Sequence, residues 1–274
     1  SNLLRLILNA HSQIAIPHPP HIMRYLAHLQ GSYGDLDNDH NMRSLVRDIL
    51  SLIAAHIFPW DVPLDPDALV ANAPQRSTFG AVAAIYEVVR QQQAAARWGN
   101  KSTFMVHFTE DVLQVYPEAK FIFLIRDPRD VAVSARKSVF SPCHPWLSAT
   151  LWNKQQSLGL HLCETLPKTT IHQLRYEDLL ENPEKTVSAL CDFLNEEWEP
   201  SMLQFFDGGE AQKSPSLSES WANTGKPVLK NNTRKFLKAL SPAEILLVES
   251  TCRAPMVALG YELTTDPADH KSPS

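Results

Sequence analysis

The stretch KFIFLIRDPRDVAVSARKS, residues 120–138, constrains this chain more than any other. Phe121 to Ile125 form a continuous apolar run rather than an alternating one. That is the pattern of a strand buried on both faces of a parallel sheet. Arg126 ends the run, and Asp127-Pro128 breaks it. Pro128 suits the first turn of a helix, where its missing N–H would have had no partner. From Asp130 onward, Val131, Ala132, Ala135 and the basic pair Arg136-Lys137 read as an amphipathic helix. Arg126 therefore falls at the carboxyl end of a central strand, where open α/β sheets bind their ligands. Ser134 follows eight positions later, about two helical turns on. A guanidinium and a hydroxyl converging there suit a phosphate, because Arg offers a planar bidentate fork. An ion pair of Arg126 with Asp127 or Asp130, with Ser134 as a surface residue, is the other reading. Spacing alone leaves both open.

The chain has 274 residues, 44% of them hydrophobic, enough for one sizeable α/β domain. A net charge of −5 argues against a general nucleic-acid binder, which needs a basic face to displace counterions. Cys143, Cys163, Cys191 and Cys252 are widely spread with no CxxC pair. They read as a reduced set in a cytoplasmic protein rather than a disulfide framework or zinc site. No apolar run approaches the ~20 residues of a membrane span, and no signal peptide precedes the first helix.

Taken in order, Leu3, Leu4, Ile7 and Leu8 make a helical stripe with Ser1 or Asn2 as N-cap. Ile14 to Ile16 is a short strand, and Pro17, Pro19 and Pro20 hold an extended segment displaying His18 and His21. Zinc ligation by His11, His18 and His21 lacks a fourth ligand and the usual spacing. Residues 22–60 predict helix, loop, helix, with Leu45, Val46, Ile49 and Ile53 in the second stripe; 59–76 are a connector and 77–97 another helix. Thr109 caps a helix that leads to the strand at Phe121. A helix over 145–166 presents Trp146, Leu147 and Leu151 to the sheet, and Thr169 to Leu174 is a second strand. Asn182 and Pro183 start a helix burying Val187, Leu190, Cys191 and Leu194. Residues 207–235 are polar and read as a flexible flap. Ser241 and Glu244 form a capping box for a last helix that ends at Gly260. The tail over 264–274 reads as flexible.

Several of these segments carry a family resemblance. LIRDPRDVAVS resembles the 3′-phosphate-binding segment of sulfotransferases, with an apolar strand, an Arg, an Asp-Val and a Ser eight after the Arg. RYEDLLENP resembles their Tyr-Glu-Asp segment, SWANTGKPVLKNNTRKF their C-terminal loop, and SNLLRLILNAH the end of their phosphosulfate loop with the helix after it. The branch it is most similar to is the bacterial and tyrosylprotein-sulfotransferase-like one. The resemblance implies an α/β fold, a P-loop-NTPase-like parallel sheet flanked by helices, with helical insertions capping the acceptor site. It implies one domain over residues 1–263, with the first strand and most of the phosphosulfate loop upstream of Ser1. It implies 3′-phosphoadenosine 5′-phosphosulfate as donor and a small-molecule or polymer-borne hydroxyl as acceptor, with no nucleic acid, no membrane span and no metal. Residue by residue, it gives the 5′ end to Ser1 and Asn2, the 3′-phosphate to Arg126 and Ser134, and the adenosine end to Tyr176. Lys226 matches the closing loop. Lys101, 25 residues ahead of Arg126, takes the place of the Lys that neutralises the leaving oxygen.

The family's usual Glu base falls at Pro19, so base duty passes to His18 or His21 beside it, with His107 as a third candidate. Two alternatives from other classes stand beside this reading. One is an ATP-dependent kinase or NTPase, which would want an acidic residue near the strand end for magnesium, where this chain has Arg126. The other is a nucleotide-binding protein of the same fold without catalysis.

Overall fold

The computed structural model of the protein describes residues 1–138 and 141–265, and several of its helices begin at a side-chain cap. The chain divides into two units, Ser1–Ala119 with Glu199–Phe205, and Lys120–Trp198 with the residues from Phe206 onward.

In the first unit, α1 (Asn2–Asn9) buries Leu4, Leu6, Ile7 and Leu8. Leu6 takes the place expected for Leu3, and Arg5 is also enclosed, at 1% exposure. Its guanidinium is satisfied locally, Nε donating to Asn2 Oδ1 and Nη1 to the Ile16 carbonyl, both at 3.0 Å. β1 (Ile14–Ala15) comes next, then α2 (Ile22–Leu26), entered through His21 at φ 55°. α3 (Asp39–Ala54) is capped by the Asn38 side chain and buries Met42, Leu45, Val46, Ile49 and Ile53. The predicted connector contains a helix, α4 (Pro66–Asn72), whose Asp65 cap and Pro66 are ordinary start signals. α5 (Thr78–Gln92) stops short of the expected 97, since Ala94 turns the chain at φ 50° into β2 (Arg97–Trp98). β2 pairs in parallel with β1, Ile14 opposite Arg97. α6 (Thr109–Val115) takes Phe108, not Thr109, as its cap residue.

The second unit holds the strand–turn–helix repeat. β3 (Phe121–Ile125) leads through Asp127, the cap residue, into α7 (Pro128–Ala135). α8 (Pro145–Thr165) follows, and then β4 (Ile171–Arg175), α9 (Tyr176–Glu181) and α10 (Pro183–Leu194). β3 and β4 pair in parallel from Phe121–Ile171 to Ile125–Arg175. Among the described residues β3 has this one strand neighbour, and Phe121 to Leu124 are half-buried while Ile125 is fully enclosed. The expectation of a strand buried on both faces is met at its carboxyl end alone.

α8 also departs from expectation. Trp146 and Leu147 are 49% and 47% exposed, and the buried face is instead Ala149, Trp152, Gln155, Gln156, Gly159 and Cys163. Close approach explains the choice, for a Cβ on Gly159 would lie 2.1 Å from the Phe123 ring. Small residues let the helix sit down on the strand.

The polar stretch after residue 207 contains α11 (Gly209–Lys213) and short 3-10 turns at Ser214–Ser216 and Glu219–Trp221. Hydrogen bonding substitutes for hydrocarbon there. The Thr224 hydroxyl donates to Trp221 O at 2.9 Å, and the Ser214 hydroxyl to Glu210 O at 2.7 Å. α12 (Phe236–Ala239) and α13 (Pro242–Ala258) complete the unit, α13 starting at the predicted Ser241–Glu244 capping box. Its core joins Ile125, Ala132, Ala149 and Trp152 to Phe236, Val248, Cys252, Met256 and Tyr261. Thr264 and Thr265, expected to begin a flexible tail, are instead bound to the buried carboxylate of Glu249. Residues 266–274 lie outside the described chain. Among the described residues no helix is long and apolar enough to cross a membrane.

Candidate active site

Register places the first group of side chains. Because Ile125 lies opposite Arg175 in a parallel pair, Arg126 and Tyr176 leave the sheet next to each other at its carboxyl end. The Arg126 guanidinium lies over the Tyr176 ring, Cζ 4.5 Å from the centroid, a cation–π contact. Its Nη2 donates to the Asn232 carbonyl at 3.3 Å, and Asn232 Nδ2 donates to the Tyr176 hydroxyl at 2.9 Å. Among the described residues Arg126 makes no ion pair with Asp127 or Asp130, although its charge acts on the Asp130 carboxyl. Asp127 is taken by Arg129, Nη2 to Oδ2 at 2.7 Å, and Asp130 Oδ1 accepts from the Phe236 amide at 3.1 Å.

Arg126 Nε, Asn232 Oδ1 and Asp130 Oδ2 are buried and have no hydrogen-bond partner among the described residues. Such groups are rare in finished protein interiors and carry capacity for a ligand. Burial pushes the Asp130 carboxyl up, against the pull of Arg126, and likewise the Tyr176 phenol. Desolvation and then the Arg126 charge lower the ammonium of exposed Lys235. A guanidinium with no ion-pair partner among the described residues, near a second cation, offers an anion site. Ser134 stands half-buried in α7, on the same strand–turn–helix unit.

The second group belongs to the first unit. His18, expected on display, is 3% exposed, stacked on Phe58 with ring centroids 5.5 Å apart and 5.0 Å from the His56 ring. Its carbonyl accepts from Trp60 Nε1 at 2.7 Å. Burial, then the Arg5 and Lys101 charges, push its imidazole down to about 2. His21 is only partly covered. Its Nδ1 lies 2.9 Å from Ser102 Oγ, which also accepts from the Phe104 amide at 3.2 Å. Burial first and Lys101 second lower His21 to about 3, and burial lowers His56 as well. All three rings are neutral at physiological pH. When Ser102 Oγ accepts from Nδ1–H, Nε2 of His21 holds the lone pair and can take a proton.

Ser1 and Asn2 open α1, with Asn2 Oδ1 engaged by Arg5. Lys226 is exposed, and its side chain makes no hydrogen bond or ion pair among the described residues. His107 ends a 3-10 turn ahead of α6. His11 Nδ1 accepts from the Gln13 amide at 3.0 Å, with Glu199 3.8 Å away. Among the described residues no group of three or more His, Cys, Asp or Glu could hold a metal ion. Sequence reading missed Asn232, Ser102 and His56. The Asn-Asn of KNNTRK was a faint cue to the first; His56 lies past the end of α3 with no pattern around it.

The sequence model of the sulfotransferase family matches residues 1–200. A protein-tyrosine sulfotransferase of Drosophila melanogaster is 22% identical over 199 residues, covering 68% of this chain and 39% of its own. Protein-tyrosine sulfotransferase 2 of Gallus gallus is 25% identical over 203 residues, covering 69% and 53%. The chain thus spans about half or less of the length of these curated relatives. The sulfotransferase domain from the curacin biosynthetic pathway shares the fold with a TM-score of 0.61 at 22% identity, over 96% of this chain and 94% of that one. With its mixed helices and short parallel strands, and a family match over most of its length, this chain belongs to the sulfotransferase family.

Proposed function

We propose that this chain is an enzyme domain that transfers a sulfuryl group from 3′-phosphoadenosine 5′-phosphosulfate to an acceptor hydroxyl, on a P-loop-NTPase-like sheet. The observation that carries the reading is Arg126, a strand-end guanidinium stacked on Tyr176, with open hydrogen-bonding atoms around it and no ion pair to a carboxylate among the described residues. Those residues fit a phosphate ester. Arg126 and Ser134 hold the 3′-phosphate, Tyr176 lines the adenosine end, and Lys226 belongs to the loop that closes on it. Ser1 and Asn2 meet the 5′ end.

When bound, the donor supplies a sulfuryl group on a phosphate leaving oxygen. The chain's own work is positioning and charge placement, as in phosphoryl transfer. Lys101 holds a compact positive charge for that oxygen. Of the two histidines, partly exposed His21 is the stronger base, taking the acceptor proton at Nε2 while Ser102 fixes the ring. His18, enclosed by Phe58 and His56, supports the wall behind it. Burial lowers His21 most and the Lys101 charge next, and an anionic donor counters the second of these. The acceptor is a hydroxyl on a small molecule or a polymer.

Titration calorimetry tests this. 3′-Phosphoadenosine 5′-phosphate should bind well, adenosine 5′-phosphate about 100-fold more weakly for want of a charge-assisted bidentate contact, and ATP with magnesium no better than the latter. Preference for ATP with magnesium would favour a kinase. Binding of the bisphosphate without sulfate transfer to any of a panel of hydroxyl acceptors would leave a nucleotide-binding domain.

A further inference from the structure

Two residues of the proposed donor site, Arg126 and Tyr176, each stand next in sequence to a residue tied to the segment 259–265. Asp127 comes directly after Arg126. Its amide donates to Glu177 Oε1 at 3.0 Å, and Glu177 Oε2 accepts from the Tyr261 hydroxyl at 3.0 Å. Its carboxylate grips Arg129 twice, Oδ1 from Nε at 2.9 Å and Oδ2 from Nη2 at 2.7 Å. Arg129 then reaches outward, Nη1 donating to Glu249 Oε1 at 2.5 Å and to the Glu262 carbonyl at 3.0 Å. Glu249 accepts from the Thr264 amide at 2.9 Å, the Thr264 hydroxyl at 2.8 Å and the Thr265 amide at 3.0 Å, and from the Thr265 hydroxyl.

The second strand end is held the same way. Arg175, directly before Tyr176, donates Nη1 to the Leu259 carbonyl at 2.9 Å and lies over the Tyr261 ring, Cζ 4.4 Å from its centroid. Arg129 and Glu249 are 4% and 0% exposed. A buried ion pair costs desolvation that its attraction roughly repays, so it contributes little net stability. Its yield is geometric. One guanidinium, that of Arg129, and three carboxylates, those of Asp127, Glu177 and Glu249, in fixed hydrogen bonds leave the turn at Asp127 a single arrangement.

We propose that residues 259–265 form a clasp that positions the donor site, bracing the β3 end through Glu249–Arg129–Asp127 and the β4 end through Arg175 and Tyr261. This rests on the donor-site reading above. The clasp residues are positioning residues, because they act through Asp127 and Arg175 rather than belonging to the proposed donor site. They set where Arg126 and Tyr176 point.

The experiment uses the full chain carrying Thr264→Val with Thr265→Val, and separately Tyr261→Phe, each measured below its own melting temperature. Calorimetry with 3′-phosphoadenosine 5′-phosphate reads affinity, and adenosine 5′-phosphate is the control lacking the 3′ group. Weakening of about tenfold for the bisphosphate, with little change for the monophosphate, is the expected result. It should also vanish when either variant is combined with Arg126→Ala, as coupled residues require. Glu249→Gln should show the same selective loss. Unchanged bisphosphate affinity in variants whose melting point has fallen would overturn the clasp as a positioning device and leave it a fastening of the fold. Equal losses with and without Arg126 would overturn it too. A wild-type protein that ignores the bisphosphate would instead bring down the donor-site reading, and the clasp's role with it.

Discussion

The two units keep their chemistry in opposite electrical states. In the second, Arg126 is charged, half-buried and stacked, with hydrogen-bonding atoms around it unused by the described residues. In the first, His18, His21 and His56 are neutral, lowered by burial and by the Lys101 charge. A fixed cation is what a permanent anion such as a 3′-phosphate needs. A neutral ring that a bound anion can make more basic is what proton abstraction needs. The difference is one of pathway as well as of charge. The Arg126 site is made by register between two strands and by the turns that follow them, whereas the histidine site is made from loops around β1, α3 and β2.

The comparison breaks most visibly at His21. His21→Ala should lower kcat for sulfate transfer by about 100- to 10,000-fold, the range for a lost general base, and leave bisphosphate affinity near wild type. A Ser102→Ala change, which frees the ring without removing it, should cost much less. Retained turnover in His21→Ala would move base duty to His18 or His107. On the other side, Arg126→Ala should weaken bisphosphate binding by about 100-fold, equal to roughly 2.7 kcal/mol. Arg126→Lys should fall between, since it keeps the charge and loses the fork. Calorimetry separates the three proteins, and equal affinities would remove Arg126 from the site.

Those two sites were unequally legible. LIRDPRDVAVS read as strand, turn and helix within one contiguous segment, because the apolar run, Asp127-Pro128 and the helical stripe are all local signals. RYEDLL was read the same way, and the register of β3 with β4 then made neighbours of Arg126 and Tyr176. What no local signal supplied was the contact that brings Asn232 to Tyr176 from 56 residues on, or the packing that buries His18. The proline-rich IPHPPH reads as an extended, displayed segment. Its enclosure depends on Phe58 and Trp60, residues of a different loop. α8 misled for a related reason, since period alone favours turning Trp146 and Leu147 inward, and a close strand–helix contact at Gly159 overrides it.

That contact gives the third prediction. Gly159→Ala puts a Cβ 2.1 Å from the Phe123 ring on β3, the strand that carries Arg126. Overpacking of this kind costs up to about 3 kcal/mol, more than the helix propensity of Ala returns. Thermal melting should show a clear drop, and nucleotide binding measured well below the melting point should weaken as β3 shifts. A melting point at or above wild type would mean that α8 stands farther from β3.

The smallest effect is a pH dependence that belongs to the first unit. His18 titrates near 6.5 when unfolded and is lowered to about 2 in the folded protein. Between those values the unfolded chain binds the proton and the folded one does not, so stability rises with pH up to about 6.5 and then levels off. Going from pH 7 to pH 5 should therefore cost about 2 kcal/mol from His18 alone, with a smaller share from the more exposed His21. His18→Phe, which keeps an aromatic ring against Phe58, should flatten the melting profile over this range. Arg126→Ala should leave its shape unchanged, since a guanidinium does not titrate there. A His18→Phe protein that loses as much stability on acidification as wild type would show that His18 is protonated in the fold. The contrast between a charged site and a neutral one would then hold only for His21 and His56.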